Sequence, residues 1–409
     1  MTEFYDALET RSADERAAWI AEALPRQIAH AKAKAPAYAR LLADVDPEAI
    51  RTPADLAALP VTRKADLVRA QAEDPPFGGY AARPVQEFDH VFQSPGPIYE
   101  PGMQSRDWWR LGRFAHAAGI GRGDVVQNTF AYHLTPAGMM FENAARAVGA
   151  TSIPAGTGQT ELQVRAAAAA GATAYAGTPD YLKILLEKAD ELGIRLGITK
   201  AVVGGGALFP SLRQYYAERG ILCLQNYATA DLGNIAYETA AMEGMVVDEG
   251  VIVEIVRPGT GDPVPEGEVG EVVVTTFNPD YPLIRFATGD LSAVMPGQSP
   301  CGRTNMRIRG WMGRADQTTK IKGMFVRPEQ VAELVARHPE LRRARVVVER
   351  ENERDVMTVM LEVEGSPAPV EAYEKSIVET LKLRGKVVIC APGELPNDGK
   401  VIDDRRSYG

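Results

Sequence analysis

Cysteine is scarce in this chain: three in 409 residues, at 223, 301 and 390, with no CxxC pair among them. Such spacing gives no support for a disulfide framework or a structural zinc, and suits a reducing compartment. Positive charge is also in short supply. Forty-five Lys and Arg against 54 Asp and Glu leave a formal net charge of -9, the reverse of the basic surface on which nucleic-acid binders depend, so no nucleic-acid partner is expected. No apolar stretch approaches the roughly 20 residues that span a bilayer, and no membrane partner is expected either. The opening MTEFYDALETRSADER has acidic residues where a signal peptide would carry a basic start and an apolar run, which points to the cytoplasm. There is no internal repeat, and low complexity is confined to the alanine run at 166–170. A complete dinucleotide fingerprint is missing too. Gly156 and Gly158 are followed by Glu161 where a third glycine belongs, and Gly204 and Gly206 by Phe209. Gly119, Gly121 and Gly123 lie in a turn ahead of a strand rather than between a strand and a helix.

What is present is enough chain for two or more domains, since 409 residues exceed the size at which one core keeps growing. Residues 13–43 read as one or two amphipathic helices broken near Pro25 and Pro36, and another helix start lies at Thr62. TELQ at 160–163 has the form of a capping box opening an Ala-rich helix that stops near Gly171. ATAYAG follows as a buried strand, and Thr178 and Pro179 open a helix whose face is Leu182, Leu185, Leu186, Ala189 and Leu192. The strand ITKAVVGG, the helix around SLRQYYAERG and the strand ILCLQNY continue the alternation, which is that of a parallel, doubly wound α/β sheet. After about residue 245 the pattern changes to strands flanking PGTGDPVPEGEVG, a β-subdomain to about 312. From 313 to 409 helix, strand, strand, helix and strand spell a small α+β domain with a polar tail. The division expected is therefore a large domain over 1–312 and a small, mobile one over 313–409.

Four groups carry chemistry, in this order along the chain. They are Asn226-Tyr227-Ala228-Thr229-Ala230-Asp231, then Arg285-Phe-Ala-Thr-Gly289-Asp290, then Gly313-Arg314-Ala-Asp316 running into Lys322-Gly323, and last Gly399-Lys400. With GDPVPEGEVGEVVVT, YPLIRFATGDL and GRADQTTKIKGMFVRPEQV, the order resembles the adenylate-forming superfamily of acyl-CoA synthetases, adenylation domains and luciferases. DPEAIRTPADLAALPVTRKADL is similar to its phenylacetate–CoA ligase branch.

The resemblance implies ATP, Mg²⁺ and coenzyme A as cofactors and a small carboxylic acid, aromatic acids included, as partner. It implies that Gly205, Gly206 and Ala207 lie along adenine, where glycine permits close approach, and that Tyr227 stacks on the base beside Ala228 and Thr229. Asp231 stands where relatives have a glutamate that ligates Mg²⁺. Asp290 would accept both ribose hydroxyls and Arg314 would reach ribose or phosphate. Asp316 would be the hinge, Lys322 and Gly323 would serve the CoA step, and Tyr132 and His133 would line the acid pocket. Lys400 would place its charge between carboxylate and α-phosphate, where two anions approach in the transition state.

The chain departs from the family at the phosphate loop. Ser94, Gly96 and Pro101 remain, but Pro95 and Pro97 remove N–H donors and Glu100 replaces a lysine. Either Glu100 points away, or it helps hold a metal ion, or triphosphate binding is impaired. The reading is an acid–CoA ligase. Its rivals are transfer to another acceptor and a catalytically silent nucleotide- or CoA-binding protein. The oligomeric state is left open, a homodimer included.

Overall fold

The computed structural model describes residues 3–105, 107–315, 317, 319–321, 324–351 and 354–406. It forms two compact units: Met1–Val253, Val274–Thr288 and Met295–Trp311 make the first, and Glu254–Val273, Gly289–Val294 and Met312–Gly409 the second.

A nine-stranded sheet runs, from one edge, through Thr151–Pro154, Val125–Asn128, Ala174–Gly177, Lys200–Val203, Leu222–Thr229, Gly233–Tyr237, Met245–Val247, Arg307–Ile308 and Val294–Met295. The first five strands are parallel, as the alternating sequence pattern predicts, and Leu222–Thr229 then pairs antiparallel with Gly233–Tyr237. All four residues of Ala174–Gly177 are buried, because a parallel strand is covered on both faces. From Val125–Asn128 the chain passes outward to the edge strand and returns on the other side as Ala174–Gly177. The C-terminal end of Val125–Asn128 is therefore a topological switch point, where an α/β sheet opens a crevice for ligands.

Two local expectations need correction. The helix Ala13–Lys34 passes through Pro25 without a break. Its face Leu24, Pro25, Ile28 and Ala31 is buried, and that burial outweighs the roughly 3 kcal/mol that an interior proline costs. Thr160 does not cap its helix; Gln159, in the left-handed region at φ 47°, holds the cap position. The Thr160 hydroxyl lies 3.3 Å from the Tyr181 hydroxyl instead.

The N-terminal segment is clasped into the first unit by buried charge. Glu9 accepts from Arg303 Nε at 2.6 Å and from the Tyr237 hydroxyl at 2.7 Å. Arg11 and Arg16 both pair with Glu249, and Arg113 joins Asp6 to Asp248. All three cysteines are free.

In the second unit a four-stranded sheet runs Lys386–Cys390, Arg354–Val363, Leu341–Glu351 and Ile402–Asp404. Its core joins Val346, Val348, Val359 and Leu361 to Tyr373 and Ile377 of the helix Val370–Leu381. The tail is more than the polar extension its composition suggests. Ile402–Asp404 pairs in parallel with Val346–Val348, and Ile402 enters the core. Arg345, 4% exposed, anchors the tail by ion pairs to Asp398 and Asp403. Among the described residues no helix is long and apolar enough to cross a membrane.

Candidate active site

The candidate residues fall into two groups, one in each unit. In the first unit, Lys200–Val203 ends in Gly204-Gly205-Gly206-Ala207. A Cβ at Gly204 would stand 2.6 Å from Asn226 Oδ1, and Gly205 has φ +69°, so the backbone here can come close to a neighbour only because side chains are absent. The adjacent strand Leu222–Thr229 carries Tyr227, whose buried hydroxyl donates to Thr288 Oγ1 at 2.9 Å and so fixes the ring. The register against Gly233–Tyr237 shifts between Tyr227 and Ala228. Beyond it Thr229 Oγ1 accepts from Leu232 N at 3.1 Å, closing a turn that delivers Asp231 inward.

Asp231 is buried, and Lys64 Nζ lies 2.9 Å from its Oδ2. That is an ion-pair distance, yet neither carboxylate oxygen accepts a hydrogen bond of good geometry. Lys64 opens the helix Lys64–Glu73. The sequence gives it no signal beyond a lysine inside a stretch similar to the ligase branch, so reading the chain alone misses it.

The expected phosphate loop is a hairpin, His90–Ser94 against Ile98–Gly102, with Gly96 at its tip. Glu100 pairs opposite Phe92 and is 1% exposed, so its side chain does not point away to solvent. The Ser94 hydroxyl donates to Oε1, and Oε2 has no partner. Burial first, and then the Asp231 charge, push the Glu100 carboxyl up to about 8, against the pull of Ser94 and Lys64. The Tyr281 hydroxyl, buried without a hydrogen-bond partner, feels both carboxylates, and burial raises its pKa well above the usual tyrosine value. The two Asp231 carboxylate oxygens accept no hydrogen bond, and Glu100 Oε2 could join them once its proton is displaced, a donor set that suits a hard cation keeping phosphate oxygens among its ligands. Among the described residues no group of three or more His, Cys, Asp and Glu could hold a metal alone, so phosphate would have to complete the shell.

Tyr132 and His133 sit on the loop that leaves the switch-point strand. Asn128 Nδ2 donates to the Tyr132 hydroxyl and to Gly138 O, each at 2.8 Å, orienting the Tyr132 ring. His133 is exposed.

In the second unit Asp290 Oδ1 and Arg314 Nη1 pair at 2.8 Å. Gly289, at φ +74°, makes that approach possible, since a Cβ there would meet the guanidinium at 2.8 Å. Lys400 follows Gly399, where a Cβ would strike Val269 at 2.6 Å and Leu291 at 2.9 Å. Leu291 is the next residue after Asp290 on Phe286–Ser292, so its side chain leaves the opposite face of the strand. The Lys400 N–H donates to Asp398 Oδ1 at 3.0 Å, and its Nζ lies 3.2 Å from Asp403 Oδ1. Although burial opposes it, hydrogen bonds from Arg405, Arg345 and Lys400 hold the Asp403 carboxyl down to about 2. Gln317 fixes the same loop, donating to Gly399 O at 2.9 Å and accepting from Ile402 N at 2.8 Å. Asp316, Lys322 and Gly323 lie outside the described residues.

No family model matches the chain. Among solved structures, 2-hydroxyisobutyryl-CoA ligase in the postadenylation state with 2-HIB-AMP is 25% identical, with a TM-score of 0.71 over 97% of this chain and 91% of that one. The same ligase in the thioesterification state with 2-HIB-AMP and CoA is 24% identical, with a TM-score of 0.72 over 99% and 93%. The fold is thus that of the adenylate-forming acyl-CoA ligases. Phenylacetate-coenzyme A ligase of Thermus thermophilus is 31% identical over 375 residues, 87% of this chain and 83% of that protein. That of Aromatoleum evansii is 28% identical over 95% and 93%, and that of Escherichia coli K12 29% identical over 88% and 85%. The chain belongs to the phenylacetate–coenzyme A ligase family.

Proposed function

We propose that this protein activates a small carboxylic acid in the cytoplasm in two steps. The carboxylate attacks the α-phosphorus of ATP, giving acyl-AMP and pyrophosphate; the thiol of coenzyme A then displaces AMP and leaves a thioester. The observation that carries this reading is the buried Asp231 with Lys64 Nζ 2.9 Å away, set in the first unit where the strand Leu222–Thr229 ends.

The roles follow from the chemistry of each group. Gly205, Gly206 and Ala207 give adenine a flat backbone, and Tyr227, held by Thr288, gives it an aromatic face. Asp231, with Glu100 near it, would hold the Mg²⁺ of the nucleotide, which would neutralise phosphate charge. Lys64 supplies the ammonium that the hairpin of Ser94 and Gly96 no longer carries. Asp290 accepts the ribose hydroxyls and Arg314 steadies the ribose or α-phosphate. Tyr132 borders the acid, with His133 at the outer edge of the same loop. Lys400 stabilises the charge that builds between carboxylate and α-phosphate. The chain hinges at Asp316, with Lys322 and Gly323 serving the thioester step.

The prolines of the hairpin and Glu100 favour one second reading, a silent binder of nucleotide or CoA. Pyrophosphate release over a panel of aryl and short-chain acids decides between them. Release that requires ATP, Mg²⁺ and at least one acid is expected; tight AMP binding with no release from any acid would leave the silent binder standing.

A further inference from the structure

Within the second unit the loop that carries Lys400 is docked on the segment Glu254–Val273. That segment precedes Asp316 in the chain, and the loop follows it. Asn397 makes a polar part of the contact. Its Oδ1 accepts from Val269 N at 2.9 Å and its Nδ2 donates to Gly267 O at 3.1 Å, so one exposed amide reaches across 128 and 130 positions of sequence. A backbone N–H can only donate, which fixes which end of the amide faces Val269. Beside it Gly399 is pressed against Val269 and Leu291. Farther along, Arg257 Nη1 donates to Arg342 O at 3.2 Å, and a Cβ on Gly259 would meet Pro328 and Glu329 at 2.9 Å. Between these points a cavity of about 210 Å³ stays open, bordered in part by Arg257, Val264, Glu268, Leu395 and Lys400. Surfaces that meet at separate points around a void are held by few bonds, so removing one of those bonds shifts the balance between docked and free.

The docked loop keeps Lys400 from the ribose side. Leu291 leaves the strand Phe286–Ser292 on the face opposite to Asp290, and it is Leu291 that Gly399 meets. Lys400 Nζ rests 3.2 Å from Asp403 Oδ1, while Asp290 pairs with Arg314 at 2.8 Å. An ammonium that serves the α-phosphate of a nucleotide whose ribose Asp290 holds has to leave this place.

We infer that Asn397 is a positioning residue, a latch that keeps Lys400 withdrawn behind the strand of Asp290 and opens for acyl-AMP formation. The inference rests on the two-step reading above for what Lys400 does once free.

Asn397→Ala removes both bonds from an exposed side chain and touches no core. Losing two neutral hydrogen bonds should lower the docking constant about tenfold. Hydrogen exchange on the ligand-free protein reads this without turnover. The Val269 amide should exchange about tenfold faster than in the parent, while Val346 and Val348, in the core of the four-stranded sheet, keep their rates. In separate half-reaction assays, acyl-AMP formation should rise several-fold, because more of the enzyme has Lys400 free, and thioester formation from supplied acyl-AMP should stay within about twofold of the parent. A side chain needed only for stability would not speed a step when lost. Slower acyl-AMP formation would make the docked place the working place of Lys400 and overturn the inference, as would unchanged exchange at Val269. If the parent releases no pyrophosphate with any acid, the proposed function falls and exchange alone decides: faster exchange at Val269 establishes the latch, and an unchanged rate overturns it.

Discussion

Glu100→Gln tests the arrangement of the altered hairpin through its proton. The side chain is 1% exposed, and its carboxyl is pushed up from an ordinary 4.5 to about 8 by burial and by Asp231. At about 1.4 kcal/mol per pH unit, that rise makes ionising Glu100 inside the fold cost about 5 kcal/mol more than ionising it in the unfolded chain. The folded pKa is the higher one, so the folded state holds the proton more tightly. The contribution of Glu100 to stability is then complete below about pH 4.5 and lost as pH rises through about 8. Glutamine keeps the shape of the neutral acid and can keep a hydrogen bond to Ser94, but it has no proton to lose. Relative to the parent, the variant should gain about 3 kcal/mol between pH 5.5 and 8.5, nearly all of it below pH 8. Urea unfolding at intervals across that range reads the difference as a growing separation of midpoints at unchanged slope. Parallel pH profiles for parent and variant would mean that Glu100 is ionised in the folded protein and that its burial beside Asp231 is wrong.

Lys400→Ala should lower acyl-AMP formation by about 10²-fold or more, as expected when one oriented charge-stabilising donor is lost, and leave thioester formation from supplied acyl-AMP near the parent rate. Equal losses in both half-reactions, assayed separately, would make the lysine structural. Lys64→Met removes the ammonium 2.9 Å from Asp231 and should raise the KM for ATP about tenfold, the equivalent of about 1.4 kcal/mol. A lower melting temperature with an unchanged KM would show that the lysine only balances a buried charge.

Much of the first unit was legible because its signals are local. Glycine after the strand Lys200–Val203, the proline that opens Pro179–Glu191 and the run of buried small residues at Ala174–Gly177 each reflect chemistry within a few residues of themselves. What escaped depends on distant partners. Pro25 reads as a break until the face it shares with Leu24 and Ile28 is seen to be buried. Nothing near Lys64 announces Asp231, 167 positions later by their numbers, as its partner. The fate of Glu100 turned on hairpin register: opposite Phe92 it faces inward, and one residue of slip would have turned it out.

The clasp on the N-terminal segment has a consequence for how the protein is made. Glu9 is joined to Arg303 across 294 positions, and Arg16 to the Thr304 carbonyl across 288. On a ribosome that adds about 5–20 residues each second, the segment emerges before those partners and waits some tens of seconds for them. Meanwhile Glu9, Arg11 and Arg16 stay solvated, and the sheet that will cover them is only partly synthesised. Final closure of the first unit therefore waits until Arg303 and Thr304 have left the ribosome. A stall or a premature stop before residue 303 leaves Glu9 without the guanidinium that balances it, a ready mark of an unfinished product.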